Sequence, residues 1–441
     1  MPQVYTGKKR LGGPDAVRDI CSICGLEMML RQILMNRAAV SGRGFEGRRI
    51  RYLFFYPLYF FTPETLQVLR RAYLRLRRVS VTDLKRQLSA KGALDLSPAT
   101  LQRLQAFMLD PEDPAPEGDR YIRLHFPEND PVMFAFLGVP PPSGQKATDV
   151  EAWVHPALLA LLLPLMIDVK VVASESLLPV MLEANEIDET VFLDAPHAAI
   201  QHIVQKARLN VDELLPAIRR LMVTYAIHVD ANAASAGGFD YRWQQLPPVA
   251  RNLAASPIYA FHYLKKGKRQ EKSDNLTVRD AMLYLQYVHF LSGDQTMTNH
   301  ARTLTQLYRR FYRAKRWNSN SILQPITKTA RVILDADARL FADADALTDA
   351  AYGALHNFIE RAYKEQLAFP PKGSTRESQQ AAMQEFARYF VHEIFFGVFR
   401  GDRSALRGKQ LNLLKNACEV IYLDEAAKDR AEREEAETTE S

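Results

Sequence analysis

The sequence predicts a mixed, mainly α protein, with an amino-terminal α/β region, a helical connector and a carboxy-terminal helical bundle. Three observations predict it. Residues 50–61, IRYLFFYPLYFF, form a near-continuous aromatic and branched run, the pattern of a strand covered on both faces. From Ala198 to His300 the apolar spacing turns helical, broken at Gly237-Gly238. The last third keeps that spacing between capping and turn signals. With 441 residues, 47% apolar and 24% charged, the chain is long enough for two or three packed domains. The expected divisions are 1–200 for the α/β region, 201–300 for the connector, 301–425 for the bundle and 426–441 for an acidic disordered tail.

In order, residues 1–20 read as a basic loop, and Cys21-Ser22-Ile23-Cys24-Gly25 as half of a zinc knuckle. A structural zinc needs four ligands, and the third cysteine, Cys418, lies far away on an apolar helical face. The pair is therefore expected to be unliganded within the chain, with zinc bound only if ligands come from outside it, for instance from an upstream segment. Pro57 interrupts or bulges the first strand. Thr62-Pro63-Glu64 supplies an N-cap, a proline at the first helical position and an acid in the first turn. The helix that follows buries Leu66, Leu69, Tyr73 and Leu76 and leaves Arg70, Arg71, Arg75, Arg77 and Arg78 largely outside, of which Arg70, Arg71, Arg75 and Arg78 are candidate contacts to duplex or target strand.

Residues 110–119 and 139–145 are proline-rich loops. The apolar run Pro156–Ile167 contains Pro164 and is too short to cross a bilayer. Lys170–Ser174 and Thr190–Asp194 are short branched runs that fit strands of one sheet. Lys265, Lys266, Lys268 and Arg269 flank Gly267 in a basic turn. Asn318–Ser321 breaks and caps, Pro325 opens the next helix, and Asp402 or Ser404 caps a final helix through Leu411, Leu414 and Ile421.

The net charge of +6 is uneven. Residues 1–110 hold 19 Lys/Arg against 8 Asp/Glu, whereas residues 423–441 hold 3 against 8. A polyanion-facing amino-terminal half and a solvated acidic tail follow. In 301–335, helical spacing puts Leu304, Leu307 and Phe311 on one face and Arg302, Arg309, Arg313 and Arg316 within about a 60° arc on the other. No acid occurs between residues 301 and 334. With Tyr312 and Trp317 beside them as stacking partners, these arginines form the composition of a nucleic-acid track. The plain alternative is an amphipathic surface helix whose arginines only solvate it.

Chemistry is less legible. A metal-dependent nuclease would need several converging ligands, and the nearest candidates are Asp194 with His197 and His228 with Asp230. An aspartate and a histidine at that spacing are more often a structural pair. No phosphate loop G-x-x-x-x-G-K-[ST] or nucleophile elbow occurs. The cysteine usage points to a reducing, cytoplasmic setting, and no secretory signal opens the chain.

Three blocks resemble a known family. KVVASESLLPVMLEANEIDETVFLDAPH (170–197), YRRFYRAKRWNSNSILQPI (308–326) and FFGVFRGDRSALRGKQLNLLKNACEVIY (395–422) are similar to the carboxy-terminal portion of the large subunit of type I-D CRISPR interference (Cascade) complexes. CSICGLEMML and the strand before TPETL resemble that subunit's cysteine motif and second palm region. The resemblance covers nearly the whole chain. It implies a palm-like (ferredoxin-like) amino-terminal region and a small-subunit-like carboxy-terminal bundle. It also implies an antiviral ribonucleoprotein role: contact with duplex DNA near the protospacer-adjacent motif and a grip on the displaced strand of the R-loop. The partners implied are guide RNA, target DNA, the backbone and guide-RNA-end subunits, free small-subunit copies, a helicase-nuclease, and no membrane. In this family the carboxy-terminal part is also made from an internal start, for which Met297 is suited. Members carry an upstream HD nuclease domain whose motif is missing here, so the expectation is a non-enzymatic, cofactor-free binding subunit. A nuclease and a purely structural assembly subunit are the rival expectations.

Overall fold

The computed structural model describes residues 50–57, 89–90, 93–94, 135–139, 141, 148–167, 169–175, 189–232, 243–270 and 275–439. The expected helix after Thr62 lies outside them. Strand β1 (Arg51–Pro57) ends on the proline that cannot donate to a ladder, and it is a central strand as its composition predicts. Leu53 and Phe54 on opposite faces are both 0% exposed. A small hairpin of β2 (Ser89–Ala90) and β3 (Ala93–Leu94) stands apart from the main sheet.

Strand β4 (Ala135–Val139) and strand β5 (Val169–Ser174) flank β1 on either side, both antiparallel to it. They are joined through helix α1 (Asp149–Ile167), which gives a split β-α-β unit around β1. Strand β6 (Val191–Leu193) lies parallel to β5, and β7 (Arg208–Leu209) closes the order β4-β1-β5-β6-β7. The two branched runs are thus neighbours in one sheet. Helix α1 contains the long apolar run with Pro156 and Pro164 inside it, and it packs on β1, β4, β5 and β6. Trp153, Leu158 and Leu161 are each at most 1% exposed, which accounts for the unbroken hydrophobicity of this helix.

The rest is helical. Helices α2 (Ala198–Val204) and α3 (Val211–Asn232) pack on α1, followed by α4 (Leu246–Ala255), α5 (Tyr259–Gln270), α6 (Val278–Phe290) and α7 (Thr296–Arg309). Thr277 caps α6 with a reciprocal Asp280 capping box. A two-residue strand, β8 (Arg313–Ala314), precedes the short α8 (Ser319–Ile322), which Asn318 caps, and α9 (Gln324–Asp335), with Pro325 in its first turn. Helices α10 (Ala338–Ala342) and α11 (Ala344–Lys364), strand β9 (Ala368–Phe369) and α12 (Arg376–Tyr389) lead into a π-helical stretch, Phe390–Val398. Asp402 caps the short α13 (Arg403–Arg407), and α14 (Lys409–Thr439) ends the described chain.

Two expectations change here. The stretch from residue 301 is not one long helix: α7 stops at Arg309, and Arg313 sits in β8, paired with β9. The backbone beyond the stop has other partners, with Ala314 N–H donating to the Tyr422 hydroxyl at 2.8 Å and Lys315 N–H to the Leu367 carbonyl at 3.0 Å. The segment 426–441, expected as a disordered tail, instead continues α14 as far as Thr439. Its Ala, Glu, Lys and Arg content favours helix, and Lys428 pairs with Asp424 one turn away at 2.7 Å.

Helix α14 packs on α5, α6 and α7 together, so the connector and the bundle share one central helix. Its Leu414, Ala417, Cys418 and Val420 are all 0% exposed. Among the described residues, no helix is long and apolar enough to cross a membrane.

Candidate nucleic-acid interface

The four arginines of 302–316 do not form a stripe. Arg309 is 4% exposed. Its Nε lies 3.0 Å from Glu425, Nη2 donates to Asp429 at 2.7 Å and Nη1 to the Tyr422 carbonyl at 3.1 Å, and the guanidinium rests 4.9 Å over the Tyr422 ring. Arg313 Nη1 donates to the same Asp429 at 2.5 Å. Both therefore tie α7 and β8 to the far half of α14, and burial lowers the Arg309 pKa. Tyr312, expected to stack on bases, is 1% exposed, with its hydroxyl donating to the Ser321 carbonyl at 2.8 Å. Arg302, Arg316 and Trp317 remain exposed, Arg302 on α7 and the other two beyond β8.

The second basic group behaves differently. Lys265, Lys266, Lys268 and Arg269 are not a turn but the last turns of α5. Gly267 makes this possible: a Cβ there would lie 2.5 Å from the Asp230 carbonyl oxygen, so only glycine lets α5 approach α3 this closely. The approach sets Lys266 Nζ 2.6 Å from the Asn232 side-chain oxygen. Lys265, 8% exposed, reaches Glu419 of α14 and the Ser319 hydroxyl at 3.0 and 2.7 Å, and Lys268 lies 3.2 Å from Asp280.

Lys265, Lys268 and Arg269 line one wall of a groove of about 590 Å³. The facing walls are the 318–327 segment, with Asn318 and Asn320, and the first turns of α14, with Asn412, Lys415 and Asn416. A second hollow of about 510 Å³ shares Lys265, Arg269, Asn412 and Asn416 with it and adds His262 and Lys266. Lys415 is half-buried and has no hydrogen-bond or ion-pair partner among the described residues; burial lowers its pKa. Burial also lowers the His262 pKa, as do Lys409, Lys266 and Arg269 around it, which marks the local field as positive. Two of the lysines have carboxylate partners, while Arg269 is exposed and Lys415 faces a cavity rimmed by side-chain amides. Such a channel suits a phosphodiester backbone: cations for charge, amides for hydrogen bonds to phosphate and sugar.

Sequence reasoning found Lys265–Arg269 but missed Lys415, Asn412 and Asn416. An amphipathic helix such as α14 signals its buried face by its period, but nothing local says where its polar residues meet α5.

The acid and imidazole groups considered for metal chemistry each have a local structural role. Asp194 accepts from the Ser174 hydroxyl at 2.6 Å, and His197 Nδ1 accepts from the Ala199 N–H at 3.0 Å, capping α2. His228 is buried and stacked on Trp243 with ring centroids 5.3 Å apart, and Asp230 accepts from the Tyr284 hydroxyl at 3.0 Å. Among the described residues, no three His, Cys, Asp or Glu side chains converge as a metal site. Cys21, Cys24, Arg70, Arg71, Arg75 and Arg78 lie outside the described residues. No protein-family model matches the chain, and comparison with curated proteins gives no match either.

Proposed function

We propose that this chain is a non-catalytic nucleic-acid-binding subunit of an RNA-guided, type I-D CRISPR-like interference complex, and that the groove between α5 and α14 meets the phosphate backbone of the opened target. The observation that carries this reading is that Arg269 lines both of two adjoining asparagine-rimmed hollows, one of which adds Lys415, without a partner among the described residues, and the other Lys266. The resemblance of residues 170–197, 308–326 and 395–422 to that family's large subunit gives the channel its biological setting. In such a complex guide pairing reads the sequence, and the protein contributes backbone contacts that tip a nearly balanced strand exchange. The palm-like assignment of the amino-terminal region belongs to the same proposal, supported by the split β-α-β unit around β1.

The test is anisotropy of labelled single-stranded and duplex DNA with the full chain and with a Lys266→Glu/Arg269→Glu/Lys415→Gln variant, folding being checked by circular dichroism. A folded variant that loses roughly tenfold or more in affinity supports the reading, since up to three phosphate contacts are removed. Undiminished affinity overturns it. Cleavage of the same single strand with Mg²⁺ or Mn²⁺, abolished by Asp194→Ala, would establish the nuclease alternative instead.

A further inference from the structure

The outer face of the β8–β9 ladder carries a second feature. Ala314 and Ala368 point inward at 6% and 0% exposure, so the alternation of side chains turns Arg313, Lys315, Leu367 and Phe369 outward. Leu367 and Phe369 are 53% and 46% exposed, and the neighbouring Trp317 is 41% exposed. Half of the large exposed apolar side chains among the described residues thus belong to one short ladder and the bend that leaves it. They come with cations: Lys315 Nζ lies 6.0 Å from the Phe369 ring centroid, and Arg316 follows it. Neither Lys315 nor Arg316 has a carboxylate partner among the described residues; the acid at this edge, Asp429, is taken by Arg309 and Arg313.

We propose that this ledge binds unpaired bases of single-stranded nucleic acid. Phe369 and Trp317 offer their ring faces to successive bases, and Lys315 and Arg316 take the flanking phosphates. Exposed rings beside uncompensated cations fit a strand whose bases are free to stack and whose backbone is anionic. A duplex offers no free base faces, and an apolar protein surface would have to desolvate two unpaired charges. The chain also runs directly from ledge to groove: Trp317 is followed by Asn318, which lines the groove. The inference rests on the nucleic-acid reading above and adds that an unpaired strand is held and by which rings.

Trp153 and Trp243 are 1% and 5% exposed, so Trp317 is the tryptophan placed to report a stacked base. The test titrates the full chain with an oligothymidylate while following intrinsic fluorescence, and repeats the titration with a duplex. Saturable quenching by the single strand, absent in Trp317→Phe and weak with duplex, is expected. Phe369→Ala weakens single-strand binding by about tenfold, the scale of one lost stacking contact, and Phe369→Tyr restores it. Unchanged affinity in Phe369→Ala together with an unquenched Trp317 overturns the ledge and assigns the patch to a protein contact, while the groove reading stands if its own variant still loses binding. Wild type that binds neither DNA overturns both.

Discussion

Arg309 illustrates how a residue's charge is assigned by partners that lie far along the chain. The window 301–334 holds no acid, yet Glu425 and Asp429 arrive from α14 and close on a guanidinium that is 4% exposed. Removing the guanidinium leaves Asp429 to Arg313 but takes the cation from Glu425 and the donor from the Tyr422 carbonyl, so Arg309→Ala is expected to destabilise the fold by about 1–3 kcal/mol. It should do so without changing DNA affinity per folded molecule. Urea unfolding checks the first effect, and anisotropy on the folded fraction checks the second.

His228 gives a pH test. Burial and nearby Lys266 push its pKa down to about 4 from an ordinary 6.5. The unfolded chain therefore takes up this proton first as pH falls, and stability is lost between about pH 6.5 and 4; above that window the group contributes no pH dependence. The full difference is roughly 3 kcal/mol, from about 1.4 kcal/mol per pKa unit. His197, His262 and His300 also have lowered pKa values and add in the same direction, burial being the leading cause for each. Chemical denaturation of wild type and His228→Leu across that window should show a shallower acid-side loss in the variant. Equal slopes would mean that the imidazole is not held neutral.

At the scale of elements, the sequence reveals those whose own residues decide their shape. Strand β1 reads as central because both its faces carry aromatic and branched residues, and β5 and β6 are legible from their branched runs. The caps at Asn318 and Thr277 follow from local hydrogen-bond chemistry; Asp402 caps as well, but it opens the short α13 and not the expected final helix, because the chain breaks at Gly408 before α14 begins. The stop of α7 at Arg309 was illegible because tertiary partners, Tyr422 and β9, satisfy the backbone that leaves it. The two-residue strands β8 and β9 have no sequence period at all.

Gly267 misled for a related reason. Beside four basic residues it resembles a turn, but its role is to let two helices touch. Gly267→Ala would normally favour a helix by about 1 kcal/mol. Here the added Cβ would meet the Asp230 carbonyl at 2.5 Å, so the variant is expected to lose about 1–3 kcal/mol net, as overpacked sites do. A thermal melt that rises instead would contradict the close approach of α3 and α5. Because that approach also sets Lys266, DNA affinity should fall in the folded variant.

For the whole molecule, α14 is the organising element. It supplies the core residues that face α5, α6 and α7, the carboxylates that fasten Arg309 and Arg313, and one wall of the polar groove. This leaves the amino-terminal arginines of the first strand-helix unit outside the described residues, and it moves the candidate backbone contact from α7 to the α5–α14 groove. The thiol of Cys418, buried on α14 with its pKa pushed up to about 12, should resist alkylation at pH 8 until denaturant is added. Peptide mapping after iodoacetamide treatment would show early labelling there if this helix were not seated in the core.

The salt dependence of single-strand binding tests the central claim most directly. Each phosphate contact adds about 0.7 to the slope of log K against log salt, so Arg269→Ala/Lys415→Ala should flatten the slope by about 1.4. Arg309→Ala/Arg313→Ala, measured on the folded fraction, should leave it unchanged. The opposite result, a slope that flattens only when the α7 and β8 arginines are removed, would contradict the account.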